Sequence, residues 1–345
     1  MTPQSTPSRF PSRRLAIAAA LACGALLTAC GGGGGDTSTP PTVTPLSQPD
    51  ATADSANASD TGNDTASSMD SVVDTTAALA QVAAQSAAAA PAGREQALSA
   101  RAADVTNLGV DCAGGGTATL SITGASLASE ADGQLDAGEK LTVTYVQCTG
   151  HAGWTQLNGS VEMDVTSADY STSPTTLAVS LTVTNLAAST PHGSATLNGT
   201  ATISRSVVTS NGTTTTTSNL TVPSATLATS YNSRSGTFTL SDLDATRTLT
   251  SVAGITTASQ YSGSHTLSGS ADGRTFAYTV STTGSVNYDA TGALVSGAWT
   301  VVRPDATIAT TVADGTVVIT VDDGNNGSID DTWTFPAAQL DAAAG

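Results

Sequence analysis

The chain has 345 residues, of which 11 are basic and 28 acidic, for a formal net charge of −17. Lys140 is its single lysine, so there is no basic stripe to release counterions from phosphate; nucleic acid and anionic lipid head groups are disfavoured as partners, and solubility and divalent cations are favoured. Aromatic residues are only 4% of the chain, and the abundant Thr, Ser, Ala and Gly predict a thin aliphatic core, because each small side chain removes little apolar area from water.

Residues 1–29 read as a secretory leader. Arg9, Arg13 and Arg14 form its basic region, and Leu15 to Leu27 form an apolar run too short to span a bilayer. The run closes on Leu27-Thr28-Ala29-Cys30 and opens onto the five glycines Gly31 to Gly35. This stretch resembles the lipobox of bacterial lipoproteins. The resemblance implies that residues 1–29 are removed and that Cys30 carries a diacylglyceryl group, which would tie the chain to the membrane. Two acyl chains suffice for stable anchoring, at about 0.8 kcal/mol per buried methylene. Gly31 follows the cysteine, not Asp, which by the same resemblance implies transfer to the outer membrane, on its periplasmic face or at the cell surface.

Residues 30–66 are mostly Gly, Ser, Thr, Pro, Ala and Asp. With almost no large apolar side chains to offset the entropy of ordering, they predict a disordered tether. Residues 67–104 predict a helical segment. Met69, Val72, Val73, Leu79 and Val82 make a loose stripe within an alanine-rich run, with Ser67 or Ser68 as cap and Pro91 and Gly93 as stop.

From residue 105 to residue 345 the period changes to two. Leu120 and Ile122, Leu141, Val143 and Tyr145, Val161, Met163 and Val165, and Leu177 to Val183 all alternate with Thr, Ser or acids. Phe238 and Leu240, Phe276 to Val280, Val317 to Val321, and Trp333 and Phe335 continue the pattern. Such alternation means strands with one buried and one wet face. Asn158-Gly159, Asn198-Gly199, Asn211-Gly212, Asp272-Gly273 and Asp314-Gly315 read as type I′ hairpin turns. Leu-x-Gly-Ser/Thr phrases at Leu157, Leu197 and Leu267 read as strand beginnings. The fold class is therefore mainly β: a long antiparallel meander forming a sandwich or a half-closed barrel, preceded by a short Ala-rich helix. The Thr-rich outer positions lack the aromatic girdles of an outer-membrane barrel.

Cys112 and Cys148 are an even pair in an exported chain and read as a disulfide; a zinc site would want CxxC spacing and nearby histidines. Two acidic glycine loops, Glu130–Glu139 and Asp322–Asp331, have the oxygen ligands of an EF-hand-type calcium loop. In the second, Asp322, Asn326 and Asp330 fall at the first, fifth and ninth ligand places. The alternative for both is an Asx-rich β-turn. The run Asp132 to Glu139, then Leu141 to Cys148 and Leu157 to Ser160, resembles a recurring phrase of uncharacterised proteobacterial β-rich lipoproteins, and Val321 to Trp333 resembles their closing strand pair. This resemblance covers residues 110–340 and brings no catalytic residues with it.

Neither HExxH nor GxSxG occurs, and Walker and dinucleotide motifs are absent. His151, His192 and His265 lie among Gly, Ser and Pro and read as surface residues. Only Trp154, Trp299 and Trp333 are available to stack on a sugar. The sequence thus points to a lipid-anchored envelope protein whose β domain is a non-enzymatic binding or structural module, with no nucleic-acid partner and calcium as the one cofactor its loops suggest. A carrier with an apolar groove is the alternative, and a surface hydrolase is a weaker one.

Overall fold

The computed structural model describes residues 45–88, 104–112, 114–124, 134–149, 156–190, 193–231, 234–271 and 274–343. It opens with helix α1 (Gln48–Ala88). Ser47 caps the helix. Its hydroxyl accepts the Asp50 N–H at 3.4 Å and donates to the Asp50 carboxylate at 2.5 Å, and Pro49 suits the first turn, where no N–H partner is needed. The backbone N–H of Leu46 donates to the Asp323 carboxylate at 3.1 Å, which fixes the start of the helix on the sheet.

Fourteen antiparallel strands follow in one sheet, in chain order. They are β1 (Asp104–Asp111), β2 (Gly115–Thr123), β3 (Lys140–Thr149), β4 (Gln156–Asp169), β5 (Thr175–Thr190), β6 (Gly193–Ser210) and β7 (Thr213–Tyr231). Then come β8 (Arg234–Val252), β9 (Ile255–Ala271), β10 (Arg274–Asp289), β11 (Leu294–Val302), β12 (Ala306–Ala313), β13 (Thr316–Asp323) and β14 (Asp331–Pro336). A short helix α2 (Ala337–Ala343) ends the described chain and buries Leu340 beside α1. The meander read from the alternation is present, as a single unclosed sheet with β1 and β14 at its edges and not as a two-sheet sandwich. The inward residues of its strands and of α1 share one core, which includes Leu120, Leu141, Met163, Leu181, Trp299 and Ile319.

The helix corrects the tether. Residues 48–66 are helical, and Ala51, Ser55, Ala56, Ala58, Ser59 and Ala66 are buried. Residues 67–88 are helical as expected, as the continuation of a longer helix. A face of Ala, Ser and Gly shows no hydropathy stripe, yet it lets the helix axis come close to the sheet. A Cβ on Gly62 would lie 2.1 Å from the Tyr261 hydroxyl. The apolar partner that outweighs the ordering entropy belongs to the sheet.

The helix crosses the strands. Asp54 pairs with Arg303 after β11. Ser55 meets Thr310 on β12 at 2.5 Å, and Ser59 meets Tyr288 on β10 at 3.2 Å. Gly62 lies on Tyr261 of β9, and Asp70 reaches Arg247 of β8 and Arg205 of β6. Each turn of helix advances ~5.4 Å, and each strand step is ~4.8 Å. The two repeats are similar, and the contacts descend in order from β12 to β6 along the helix.

Two expected turns are strand bulges. Register shifts occur between Tyr145 and Cys148, Asn158 and Ser160, Val183 and Leu186, Thr200 and Thr202, Ser241 and Asp244, and Ser281 and Val286. These positions neighbour one another across the strands, so the bulges form a transverse crease, where each adds bend and twist. Asn158-Gly159 and Asn198-Gly199 sit in this crease. Asn158 Oδ1 accepts the Gln147 N–H at 2.8 Å, and Asn198 Oδ1 accepts the Asn185 N–H at 2.7 Å. A Cβ on Gly159 would lie 2.2 Å from the Asn185 carbonyl oxygen. A short amide followed by a residue without Cβ serves a bulge as well as a turn, and the sequence alone does not separate the two. The Leu197 and Leu267 phrases accordingly lie inside β6 and β9. Asn211-Gly212 and Asp314-Gly315 are the expected I′ turns, with both residues at positive φ. Ala253-Gly254 is a third, unforeseen because Ala seldom adopts that conformation. Asp272-Gly273 lies outside the described residues.

Candidate functional site

Directly opposed residues in antiparallel strands share a face. One such row runs Leu177 on β5, Arg205 on β6, Ser218 on β7, Arg247 on β8, Tyr261 on β9 and Val286 on β10. The next inward row is apolar: Val179, Ile203, Leu220 and Ala245. The arginines thus occupy core positions, and α1 lies over them with Asp70 turned inward.

Arg205 Nη2 donates to Asp70 Oδ1 at 3.1 Å and to the Asp70 carbonyl oxygen at 3.3 Å, and its Nη1 donates to Asp74 Oδ1 at 2.5 Å. Arg247 Nη1 donates to the other Asp70 oxygen at 3.3 Å. Asp70, Arg205 and Arg247 are 9%, 15% and 13% exposed, whereas Asp74 is 67% exposed. Burial works against both guanidinium charges. At Arg205 the carboxylates of Asp74 and Asp70 outweigh it and hold the pKa above its ordinary value; at Arg247 burial outweighs Asp70 and the pKa falls. Arg247 is therefore the less compensated cation.

The fit between helix and row is incomplete. Arg205 Nε, Arg247 Nε, Tyr261 Oη and Asn63 Oδ1 are buried without a hydrogen-bond partner among the described residues. Each such group costs about 1–3 kcal/mol. Burial pushes the Tyr261 hydroxyl pKa upward, so the phenol stays neutral. Beside Arg205 a cleft of about 190 Å³ opens between helix and sheet, lined by Val73, Leu135, Tyr170, Leu177 and Val207.

The other end of the helix is held differently. Trp299 Nε1 donates to the Ser55 carbonyl oxygen at 3.0 Å and to its hydroxyl at 3.1 Å. Arg303 pairs with Asp54 and also donates to Asp305 at 3.0 Å. Burial raises the Asp54 pKa, and Arg303 offsets this only in part.

The chain matches no family model, no curated protein and no solved structure.

Of the residues singled out from the sequence, Cys30 and the leader lie outside the described residues, as do His151, His192 and Trp154. Cys112 and Cys148 form the disulfide, with Cα atoms 5.4 Å apart. It ties the edge hairpin β1–β2 to β3. Closing a loop of separation 36 stabilises by about 4 kcal/mol on the chain-entropy account. Asp322, Asn326 and Asp330 come together in the β13–β14 turn, where they accept backbone N–H groups. The Asp322 oxygens take those of Asn326 and Gly327, at 2.9 and 2.8 Å; Asn326 takes that of Ser328 at 2.9 Å; Asp330 takes that of Asp323 at 2.8 Å. These are the bonds of an Asx-rich turn. Of the first acidic loop, residues 134–139 are described; Glu139 is buried and accepts the Asp136 N–H at 2.7 Å.

His265 corrects the surface reading. It is 2% exposed, and both ring nitrogens lack partners among the described residues. Its position is in phase with buried Tyr261 and Leu267 on β9. Arg205 is likewise in phase with Ile203, and Arg247 with Ala245. Extending the period-two face along β6, β8 and β9 would have placed all three inward. The sequence reading stopped where apolar residues stopped.

Proposed function

We propose that this protein is a lipid-anchored component of the outer membrane whose β domain is a non-enzymatic binding or structural module, as in the β-rich proteobacterial lipoproteins that it resembles. The observation that carries the anchor is the sequence from Leu15 to Gly35: a basic leader, an apolar run, Leu27-Thr28-Ala29-Cys30 and the glycines after it. The module reading draws on the arginine row, whose cations are engaged by carboxylates of the same chain, an arrangement that holds two surfaces together. The test is Cys30→Ser in the full-length precursor. The wild type should incorporate radiolabelled palmitate and fractionate with membranes; the variant should lose the label and keep its leader, and the chain from Gly31 onward behind an ordinary cleaved leader should leave the membrane fraction. Unchanged mobility of the variant, or membrane fractionation of the chain from Gly31 onward, would refute the anchor.

Calcium at Asp322, Asn326 and Asp330 is a subsidiary proposal, supported by four acids in one turn while the nearest arginine, Arg303, is engaged by Asp54 and Asp305. Melting should rise in millimolar calcium over EDTA and should not in Asp322→Asn/Asp330→Asn. Identical curves for the wild type would leave the turn held by its backbone hydrogen bonds alone.

A further inference from the structure

Helix α1 is an unusual cover for the surface beneath it. The inner row next to Arg205 and Arg247 is aliphatic, whereas the helix face that meets the sheet is Ala, Ser, Gly, Asn and Asp with few larger apolar residues, such as Met69 and Val73. Small side chains bury little apolar area each. The helix instead presents one buried carboxylate, Asp70, to two arginines two strands apart. The Nε donors of both arginines have no partner among the described residues. The cleft at Arg205 is already open, its walls mostly apolar with Asp74, Thr175 and Thr176 among them, but at about 190 Å³ it is below the ~300–1,000 Å³ of ordinary ligand sites. A larger guest requires that the helix move.

We propose that α1 is a displaceable strap, and that the surface under it binds a single-chain anionic amphiphile, with the carboxylate on Arg205 and Arg247 in place of Asp70 and the alkyl chain on the rows of Ile203, Leu220 and Ala245. This proposal rests on the reading of the β domain as a binding module. Charge complementarity selects the head group. Without the helix, the row carries two guanidiniums and a neutral phenol, a forked donor set suited to a carboxylate. The chain's overall negative charge slows encounter with an anion, but affinity is decided at the row, where the local sign is positive.

The test uses palmitate as probe and the chain from Gly31 onward, which carries every described residue and no acyl group of its own. Native mass spectrometry should show a one-to-one adduct, and palmitate should displace a fluorescent fatty acid. Asp70→Asn should tighten binding several-fold. Arg205→Gln/Arg247→Gln should weaken it at least tenfold, and hexadecanol should bind at least tenfold more weakly than palmitate. Because the Asp70 stretch is the part that must lift, saturating palmitate should raise hydrogen–deuterium exchange of α1 around residues 62–76 at least threefold, while the Ser55 end, hydrogen-bonded to Thr310, keeps its protection. Absence of an adduct in both the wild type and Asp70→Asn would overturn the site. Unchanged exchange of residues 62–76 in saturating palmitate would overturn the strap, and equal binding of hexadecanol would overturn the arginine assignment. Failure on any of these leaves the Cys30 fractionation test untouched.

Discussion

The two ends of α1 are attached to the sheet by different physics. Near Ser55 the helix meets Trp299, a large indole that is 1% exposed and hydrogen-bonded to it, and the ion pair of Asp54 with Arg303 beside it is partly exposed and secondary. Near Asp70 it meets two arginines, and the attachment is a buried ion cluster with unpartnered donors around it. Apolar burial is non-directional and tolerates small shifts, but a buried ion pair holds only while both partners are present, since removing one leaves an unpaired charge. The first end is therefore a firm attachment and the second a conditional one.

Trp299→Ala attacks the firm end. It should cost about 3–5 kcal/mol in urea unfolding, as a cooperative loss across helix and sheet. Asp70→Ala attacks the conditional end and leaves Arg205 and Arg247 buried without their shared carboxylate. A loss of about 3–5 kcal/mol is expected if the helix stays seated; if it lifts, the loss of global stability should be smaller and confined to helix protection. Asp74→Ala, at an exposed partner, should cost under about 1 kcal/mol. Equal effects of Asp70→Ala and Asp74→Ala would contradict the buried cluster.

His265 sharpens the comparison from the sheet side. Burial lowers its pKa to about 4, so the unfolded chain, with an ordinary value near 6.5, takes up the proton first as pH falls. Its contribution is intact above pH ~6.5, declines between there and pH ~4, and is flat below. The full loss is about 3 kcal/mol. His265→Leu should flatten that part of the stability–pH curve, measured by urea unfolding at several pH values. A curve unchanged by the substitution would mean that His265 is not held neutral.

Gly62→Ala tests the close approach between the two ends. Alanine favours a helix by about 1 kcal/mol over glycine, yet its Cβ would press on the rigid, buried Tyr261 ring, and overpacking costs about 1–3 kcal/mol. A net loss is expected. Stabilisation would show that the helix stands further from β9.

The sheet was legible because Leu, Val and Ile in alternation describe a buried face in the same terms that bury it. The strand runs around Leu120, Leu141, Met163, Leu181 and Ile319 all fall inside strands, and the disulfide followed from the pairing of two cysteines. The helix was half legible. Ser47-Gln48-Pro49-Asp50 is a start signal in plain view, but hydropathy cannot see a face made of Ala51, Ser55, Ser59 and Gly62, whose value lies in letting a distant surface come near. The arginine row was hidden for a related reason: Arg205 and Arg247 keep the phase of their strands while breaking its chemistry, and their partners lie in a segment that looked too polar to fold.

The central claim is that the Asp70 end of α1 is held by ions and can open while the sheet stays folded. Hydrogen–deuterium exchange of the wild type and Asp70→Ala, read peptide by peptide, tests it most directly. The account predicts that amides of α1 around residues 62–76 lose protection in the variant by at least tenfold, while β7 to β10 and the Ser55 end of the helix keep theirs. Equal protection of that helical stretch in the two proteins, or a loss shared evenly by helix and sheet, would contradict it.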